Sequence, residues 1–162
     1  MSSLPAWFYI SYIFIIGICI GSFLNVVILR GLSGEKFVLE RSKCPKCNNQ
    51  LKWYMNIPLI SYVFLKGKCA FCAEKISIQY PLVEFLSGVL FLSSYFAFGL
   101  SLKTLFLWVI FSLYIVLAVC DILETVIIDT HAYILVGVGL FSSVFNVFNL
   151  DFTSSLIGAI FA

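Results

Sequence analysis

The sequence is poor in charge. Only 11% of its 162 residues are charged, whereas 62% are hydrophobic; soluble domains carry about 25% charged residues and are about half apolar. This composition excludes a soluble globular domain and predicts an integral membrane protein. The sequence also has no internal repeat, no low-complexity tract and no glycine-rich nucleotide-binding loop after a strand.

Long apolar runs indicate the fold class. A helix needs roughly 20 residues to cross about 30 Å of hydrocarbon, and four runs reach or approach that length, while a fifth stops with the chain at Ala162 as if inside a helix. We predict an all-α polytopic bundle of about four spans and a partial fifth, in which short loops make neighbouring helices antiparallel. The predicted spans are residues 1–29, 81–100, 102–121, 131–148 and 154–162.

Basic residues are almost absent outside one segment. Of the ten Lys and Arg residues, nine lie between the first two apolar runs, so the positive-inside rule places residues 30–80 in the cytoplasm and the N-terminus outside. Asp121 then lies at the cytoplasmic end of the third span. The first run has no positive residue before it, which is not typical of a cleavable signal peptide, and we expect it to stay as an anchor. Nothing in the charge pattern favours nucleic-acid binding.

Two Cys-x-x-Cys pairs stand out in the cytoplasmic segment, which we interpret as an inserted domain. Cys44 and Cys47 are separated from Cys69 and Cys72 by 21 residues, a spacing typical of a closed tetrahedral zinc site. Such a site has no open position for water, so its zinc would be structural. Two disulfides or unpaired thiols are the alternatives, although a reducing cytoplasm disfavours disulfides. After the first pair, Asn48 suits a left-handed backbone better than Ala73 does at the equivalent place.

Several longer motifs resemble one family. The segments "GSFLNVVILR", "CPKC", "NIPLISYVFLKGKCAFC", "ISIQYPLVEFLSG" and "CDILETVIID" are similar, in wording and order, to the N-terminal half of the bacterial type IV prepilin leader peptidases. These are membrane aspartic peptidases that also carry N-methyltransferase activity. The resemblance runs from about Gly21 to Asp129.

The resemblance implies a multi-pass enzyme of the bacterial inner membrane. It would cleave the leader of type IV prepilins or pseudopilins, serving pili or type II secretion, on the cytoplasmic side. It would then methylate the new N-terminus with S-adenosylmethionine. The alternative is a non-catalytic membrane-anchored zinc module that binds a pilus or secretion assembly partner. Neither reading specifies an oligomeric state.

The carboxylates at the end of the third span are the catalytic candidates. The resemblance implies that Asp121 is one of two catalytic acids; the alternative is a solvated residue at a helix end. Glu124 is expected to be a loop charge, and Asp129 could pair with Asp121 only if a loop folded it back. Ile128 replaces the proline usual in the family before the second acid of this segment. The family's Gly-x-Gly-Asp motif, which holds its other catalytic Asp, is absent, so we expect this chain to carry half of the pair.

Three further residues are candidates of lower rank. Asn25 lies near the cytoplasmic end of the first span. It either forms an interhelical hydrogen bond or lies near the active site. Glu84 either interacts with the helix dipole in a first turn or points into a functional cleft. Gly67 forms a tight turn or permits close approach of substrate or cofactor. Gly21 and Ser22 are expected to allow close helix packing.

Overall fold

The computed structural model describes residues 5–33, 42–44, 46–124, 133, 136–139 and 141. Within these residues the regular structure is helical, and there is no named strand. The elements are α1 (Ala6–Ser33), a short 3-10 helix η1 (Trp53–Asn56), α2 (Ile60–Phe64), α3 (Gln79–Phe98) and α4 (Leu102–Glu124). The predicted all-helical class is confirmed for this part of the chain.

Three of these helices are long and apolar enough to cross a membrane. The qualifying stretches are Ala6–Leu32, Gln79–Phe98 and Leu102–Leu123. The first helix continues to Ser33, past the predicted end at Leu29, and Arg30 in its last turn interacts favourably with the negative end of the helix dipole. The spans predicted at 131–148 and 154–162 lie outside the described residues, except for a few isolated positions in the former.

The chain divides into two compact units, Met1–Val89 and Leu90–Ala162. In the first unit, α1 packs on the beginning of α3 through glycines. A Cβ atom on Gly17 would lie 2.7 Å from the Gly88 Cα, and one on Gly21 would lie 2.8 Å from the Glu84 Cα. Glycines four residues apart in α1 therefore let the two backbones approach closely, as in small-residue packing of membrane helices. The close packing predicted for Gly21 is confirmed.

Replacing Gly21 by valine should separate these two helices. The new Cβ would meet backbone atoms of α3, which cannot move aside as a flexible side chain can, and overpacking of this kind costs roughly 1–3 kcal/mol. We expect the free energy of unfolding in detergent micelles, measured by SDS titration with circular dichroism, to fall by about that amount. Gly137→Val is the matched control, because a Cβ at Gly137 meets no atom of the described residues within 4 Å. Equal losses in both variants would contradict the packing account.

In the second unit, an aromatic stack joins the end of α3 to α4. The Phe91 and Trp108 rings are parallel to within 5°, with centroids 4.8 Å apart, and the Trp108 indole N–H donates to the Ser94 hydroxyl at 2.9 Å. The connection between the helices is short and turns at Gly99, whose φ is +63°. Such a connection makes α3 and α4 antiparallel, as the sequence predicts.

Candidate functional site: a four-cysteine centre and a buried polar contact

The four cysteines lie on two short backbone loops of the same design. In the first, Lys43 forms an antiparallel bridge with Gln50, and the Asn48 N–H donates to the Cys44 carbonyl oxygen at 2.9 Å. Asn48 has a φ of +54°. The loop therefore turns back directly after its second cysteine, and the left-handed conformation predicted for Asn48 is confirmed.

The second loop repeats this pattern 25 positions later. Lys68 bridges to Lys75, and the Ala73 N–H donates to the Cys69 carbonyl oxygen at 3.0 Å. Ala73 has a φ of +58°, although alanine pays a steric cost there that asparagine largely avoids. The hydrogen bonds of the loop thus impose on Ala73 the conformation that its side chain disfavours.

The two loops bring all four sulfur atoms together. The Sγ atoms of Cys44, Cys47, Cys69 and Cys72 lie within 4.8 Å of one another, and those of Cys44 and Cys72 are 3.8 Å apart. A tetrahedron with bonds of about 2.3 Å has edges of about 3.8 Å, whereas disulfide sulfurs are about 2.05 Å apart. The cluster can therefore hold a metal ion such as zinc, and its thiols are not joined in disulfides.

Two of the thiols differ in acidity because backbone donors lower the pKa of both, whereas the neighbouring sulfurs lower the pKa of Cys44 and raise that of Cys72. The backbone N–H groups of Cys47 and then Lys46 hydrogen-bond the Cys44 sulfur and lower the pKa of Cys44 to about 7. The backbone N–H of Glu74 acts in the same direction on Cys72. There, burial and hydrogen bonds with the neighbouring sulfurs together outweigh it and raise the pKa of Cys72 to about 12. One thiolate thus forms readily, and a cation is needed to stabilise several together.

A second polar group lies where α1 meets the start of α3. Asn25 is only 1% exposed, and its amide Nδ2 donates to the Tyr80 carbonyl oxygen at 3.1 Å and to the Gly21 carbonyl oxygen at 3.3 Å. Among the described residues, no hydrogen-bond partner reaches Asn25 Oδ1 or the buried Ser87 hydroxyl. The interhelical hydrogen bond considered for Asn25 is therefore present.

Glu84 connects α3 to the segment between the two cysteine loops. It is 7% exposed, and its Oε2 accepts a hydrogen bond of 2.7 Å from the Leu59 backbone N–H. The Ser22 hydroxyl is also hydrogen-bonded to the carboxylate. The dipole explanation for Glu84 is wrong, because α3 begins at Gln79 and has no acid in its first turn.

Leu59 is the residue that makes this contact unusual. Its φ of +60° and ψ of −49° lie in a region that non-glycine residues rarely occupy, which costs on the order of 1–3 kcal/mol. A charge-assisted hydrogen bond to a buried carboxylate offsets part of that cost. Sequence reasoning missed both Leu59 and Ser22 as partners of Glu84; the adjacent "NIP" turn and the polar Ser22 in an apolar helix were the available signals.

Gly67 occupies the turn before the second cysteine loop. Its φ is +66°, its N–H donates to the Tyr62 carbonyl oxygen at 2.9 Å, and its own carbonyl oxygen accepts from Ile76 at 2.8 Å. A Cβ there would come within 3.0 Å of the Tyr62 ring. These contacts support the interpretation of Gly67 as a turn residue. That Gly67 also permits close approach of a substrate or cofactor stays a prediction.

The acidic segment belongs to the second unit. Asp121 lies in the last turns of α4 with an exposed side chain, and α4 continues through Glu124. Residues 121 and 124 are thus one helical turn apart. Asp129 lies outside the described residues, so the catalytic assignment of either aspartate stays a prediction.

The sequence comparisons that find a match all lead to one protein family. Residues 15–98 match the family model described as the bacterial Peptidase A24 N-terminal domain. The chain is 43% identical over 124 residues to the prepilin leader peptidase/N-methyltransferase of Myxococcus xanthus, an alignment that covers 75% of this chain and 37% of that protein. It is 34% identical over 175 residues to the protein of the same name from Neisseria gonorrhoeae, covering 90% of this chain and 59% of that protein.

A third relative matches a shorter part of the chain. The Vibrio cholerae protein of the same name is 46% identical over 80 residues, which is 43% of this chain and 31% of that protein. The chain thus spans between about a third and three fifths of the length of these relatives. No solved structure matches the chain significantly.

Proposed function

The chain belongs to the bacterial prepilin leader peptidase/N-methyltransferase family, and from this premise we propose that it contributes to cleaving the leader of type IV prepilins or pseudopilins. The match over residues 15–98 is the observation that carries the proposal, because it covers most of α1, the cysteine cluster and all of α3. Cleavage takes place at the cytoplasmic face of the inner membrane. The eight basic residues between the first two spans, together with Arg30 in the last turn of α1, support that orientation.

The cysteine cluster holds one structural zinc ion in this proposal. Four thiolates from two equivalent loops complete a closed shell, so no ligand position is left for a reacting water. When bound, zinc fixes the fold of residues 42–78, a segment too small to bury much apolar surface. The protein then uses this domain as a rigid support beside the membrane helices.

Asp121 is one of two catalytic acids. Peptide hydrolysis by carboxylates needs one ionised group to activate water and one protonated group to donate to the carbonyl or amine. Asp121 is exposed at the end of a membrane helix, where water and a peptide can both reach it. The second acid of the family stands in a Gly-x-Gly-Asp motif, which these 162 residues do not contain.

Methylation of the new N-terminus is the second proposed activity. It is supported by the N-methyltransferase in the names of the relatives, and the methyl donor would be S-adenosylmethionine. The chain has no glycine-rich loop of the dinucleotide-binding kind, so a donor site of another design is required. Gly67 is a weak candidate for it, since a tight turn accounts for its conformation.

An assay in membranes tests whether this chain supplies only one of the two catalytic acids. We expect the 162-residue chain, expressed with a prepilin in a host without its own peptidase, to leave the leader uncleaved, because a single carboxylate cannot fill both roles. The measurement is the shift of prepilin to its mature size on a gel. Robust cleavage that disappears in Asp121→Ala would contradict the proposal and would indicate a partner acid within the chain, with Asp129 as the first candidate.

A further inference from the structure

An apolar stripe with no partner among the described residues lies between the two cysteine loops. Ile60, Val63 and Phe64 occupy positions i, i+3 and i+4 of α2, which place them on one face of the helix. Val63 is 73% exposed and Phe64 81%. Three large apolar side chains on one face of so short a helix require an explanation, because isolated exposed residues are ordinary but a contiguous set indicates a contact surface.

Aromatic residues extend this surface onto η1, which packs against α2. Trp53 is 80% exposed and meets the Tyr54 ring edge to face, with centroids 5.8 Å apart. The Lys52 ammonium lies 6.0 Å from the centroid of the Tyr54 ring. Trp and Tyr with lysine beside them are the residues that concentrate at a membrane–water boundary.

The contact between Leu59 and Glu84 fixes the height of this surface relative to a membrane span. Glu84 is the sixth residue of α3 (Gln79–Phe98), about 7.5 Å along the helix from its start at a rise of 1.5 Å per residue. Leu59 hydrogen-bonds Glu84 and immediately precedes α2. The apolar stripe therefore begins beside the first turns of the span, at the depth where headgroups meet acyl chains.

The charge of residues 42–78 indicates which kind of surface the apolar stripe contacts. Residues 42–78 contain six lysines and a single acid, Glu74, so their net charge is +5 with neutral thiols and +3 when four thiolates hold one zinc ion. A surface with this charge attracts anionic phospholipid headgroups. A basic peptide would be repelled by it.

We propose that η1 and α2 form an interfacial membrane anchor, in which Trp53, Ile60, Val63 and Phe64 insert among anionic lipid headgroups. The lysines of the same segment bind the lipid phosphates. This anchor holds the cysteine domain against the bilayer in addition to the contact of Leu59 with α3. The inference depends on α3 crossing the membrane and not on peptidase activity, so it can fail while the proposed function stands.

Trp53 provides the probe. The full chain is reconstituted in nanodiscs of phosphatidylcholine alone or with about 30% phosphatidylglycerol, each containing lipid brominated near the headgroup, which quenches indoles at the depth of an interfacial helix. Because Trp7 and Trp108 also emit, the Trp53 signal is taken as the difference between the chain and its Trp53→Phe variant. We expect roughly half of the Trp53 emission to be quenched in the anionic discs, with a clear decrease at high salt.

Substitutions in α2 test whether the apolar stripe itself inserts into the lipid or whether Trp53 merely lies close to it. The double variant Val63→Asp, Phe64→Asp should lose most of the quenching, whereas Phe71→Ser, at an exposed aromatic of the second cysteine loop, should keep it. Circular dichroism and resistance to trypsin check that both variants are folded. Equal quenching in neutral and anionic discs would overturn the proposal of anionic recognition. If acrylamide quenches Trp53 and brominated lipid does not, the anchor is overturned. The apolar stripe would then contact a protein partner.

Discussion

The Cys69→Ser variant should bind zinc on the order of 100-fold more weakly than the unsubstituted chain, which should contain about one zinc ion per molecule. The structural reason is the convergence of the four sulfur atoms to within 4.8 Å, which leaves the shell incomplete when one thiolate is removed. Structural zinc contributes about 10–16 kcal/mol to folding, so a quarter of that is about 3 kcal/mol, a loss of affinity on the order of 100-fold. Metal analysis of the purified chain measures it.

The same substitution should unfold the cysteine domain, because few other interactions hold it. Residues 42–78 contain two isolated bridges and two short helices, and of their described side chains only Cys44 and Cys69 are buried. Limited proteolysis should therefore cut this segment in Cys69→Ser at a rate at least about tenfold higher. Cys19→Ser, at an exposed cysteine of α1 outside the cluster, is the control and should change neither readout. A metal-free chain with disulfides among these cysteines would refute the zinc assignment.

The largest effect is expected for Asp121 once the catalytic pair is complete. If the chain is joined in frame to the remaining part of a relative that carries Gly-x-Gly-Asp, Asp121→Asn should reduce leader cleavage by on the order of 10⁴-fold, as loss of one essential group does in other peptidases. Asparagine matches aspartate in shape but cannot accept or share the catalytic proton. The initial rate of prepilin maturation in membranes measures the change.

A neighbouring acid provides the matched control. Glu124 lies one turn from Asp121 at the end of α4 and is proposed as a solvated charge, so Glu124→Gln should leave the rate within about twofold. Both variants should retain one zinc per chain, which separates a chemical defect from loss of the domain. A large loss of activity in Glu124→Gln would move the second catalytic role to that residue.

Features that depend on local spacing could be predicted from the sequence. The two Cys-x-x-Cys pairs predict a shared metal site because a two-residue spacer turns both thiols of a pair to one side. The long apolar runs predict membrane helices because their length matches the bilayer. Even the conformation of Asn48 follows from its place after the first pair, although the same reasoning undervalued Ala73, where backbone hydrogen bonds override the side chain.

Features that depend on packing between distant segments could not be predicted. The hydrogen bond from Leu59 to Glu84 joins residues 25 positions apart and requires a backbone conformation that leucine rarely adopts. The approach of Gly17 to Gly88 depends on the rotation of each helix about its axis, which hydropathy alone leaves open. The contact of Leu59 with Glu84 ties the segment between the cysteine loops to α3, and the surface that we propose as a lipid anchor depends on it.

The central claim is that this chain supplies a zinc-supported domain and one of two catalytic acids of a prepilin peptidase. The most direct test compares leader cleavage by the joined chain with that by its Asp121→Asn variant, in the same membranes and at equal zinc content. The account predicts rapid maturation of prepilin by the joined chain and none above background in the variant. Cleavage at an undiminished rate in Asp121→Asn would contradict it.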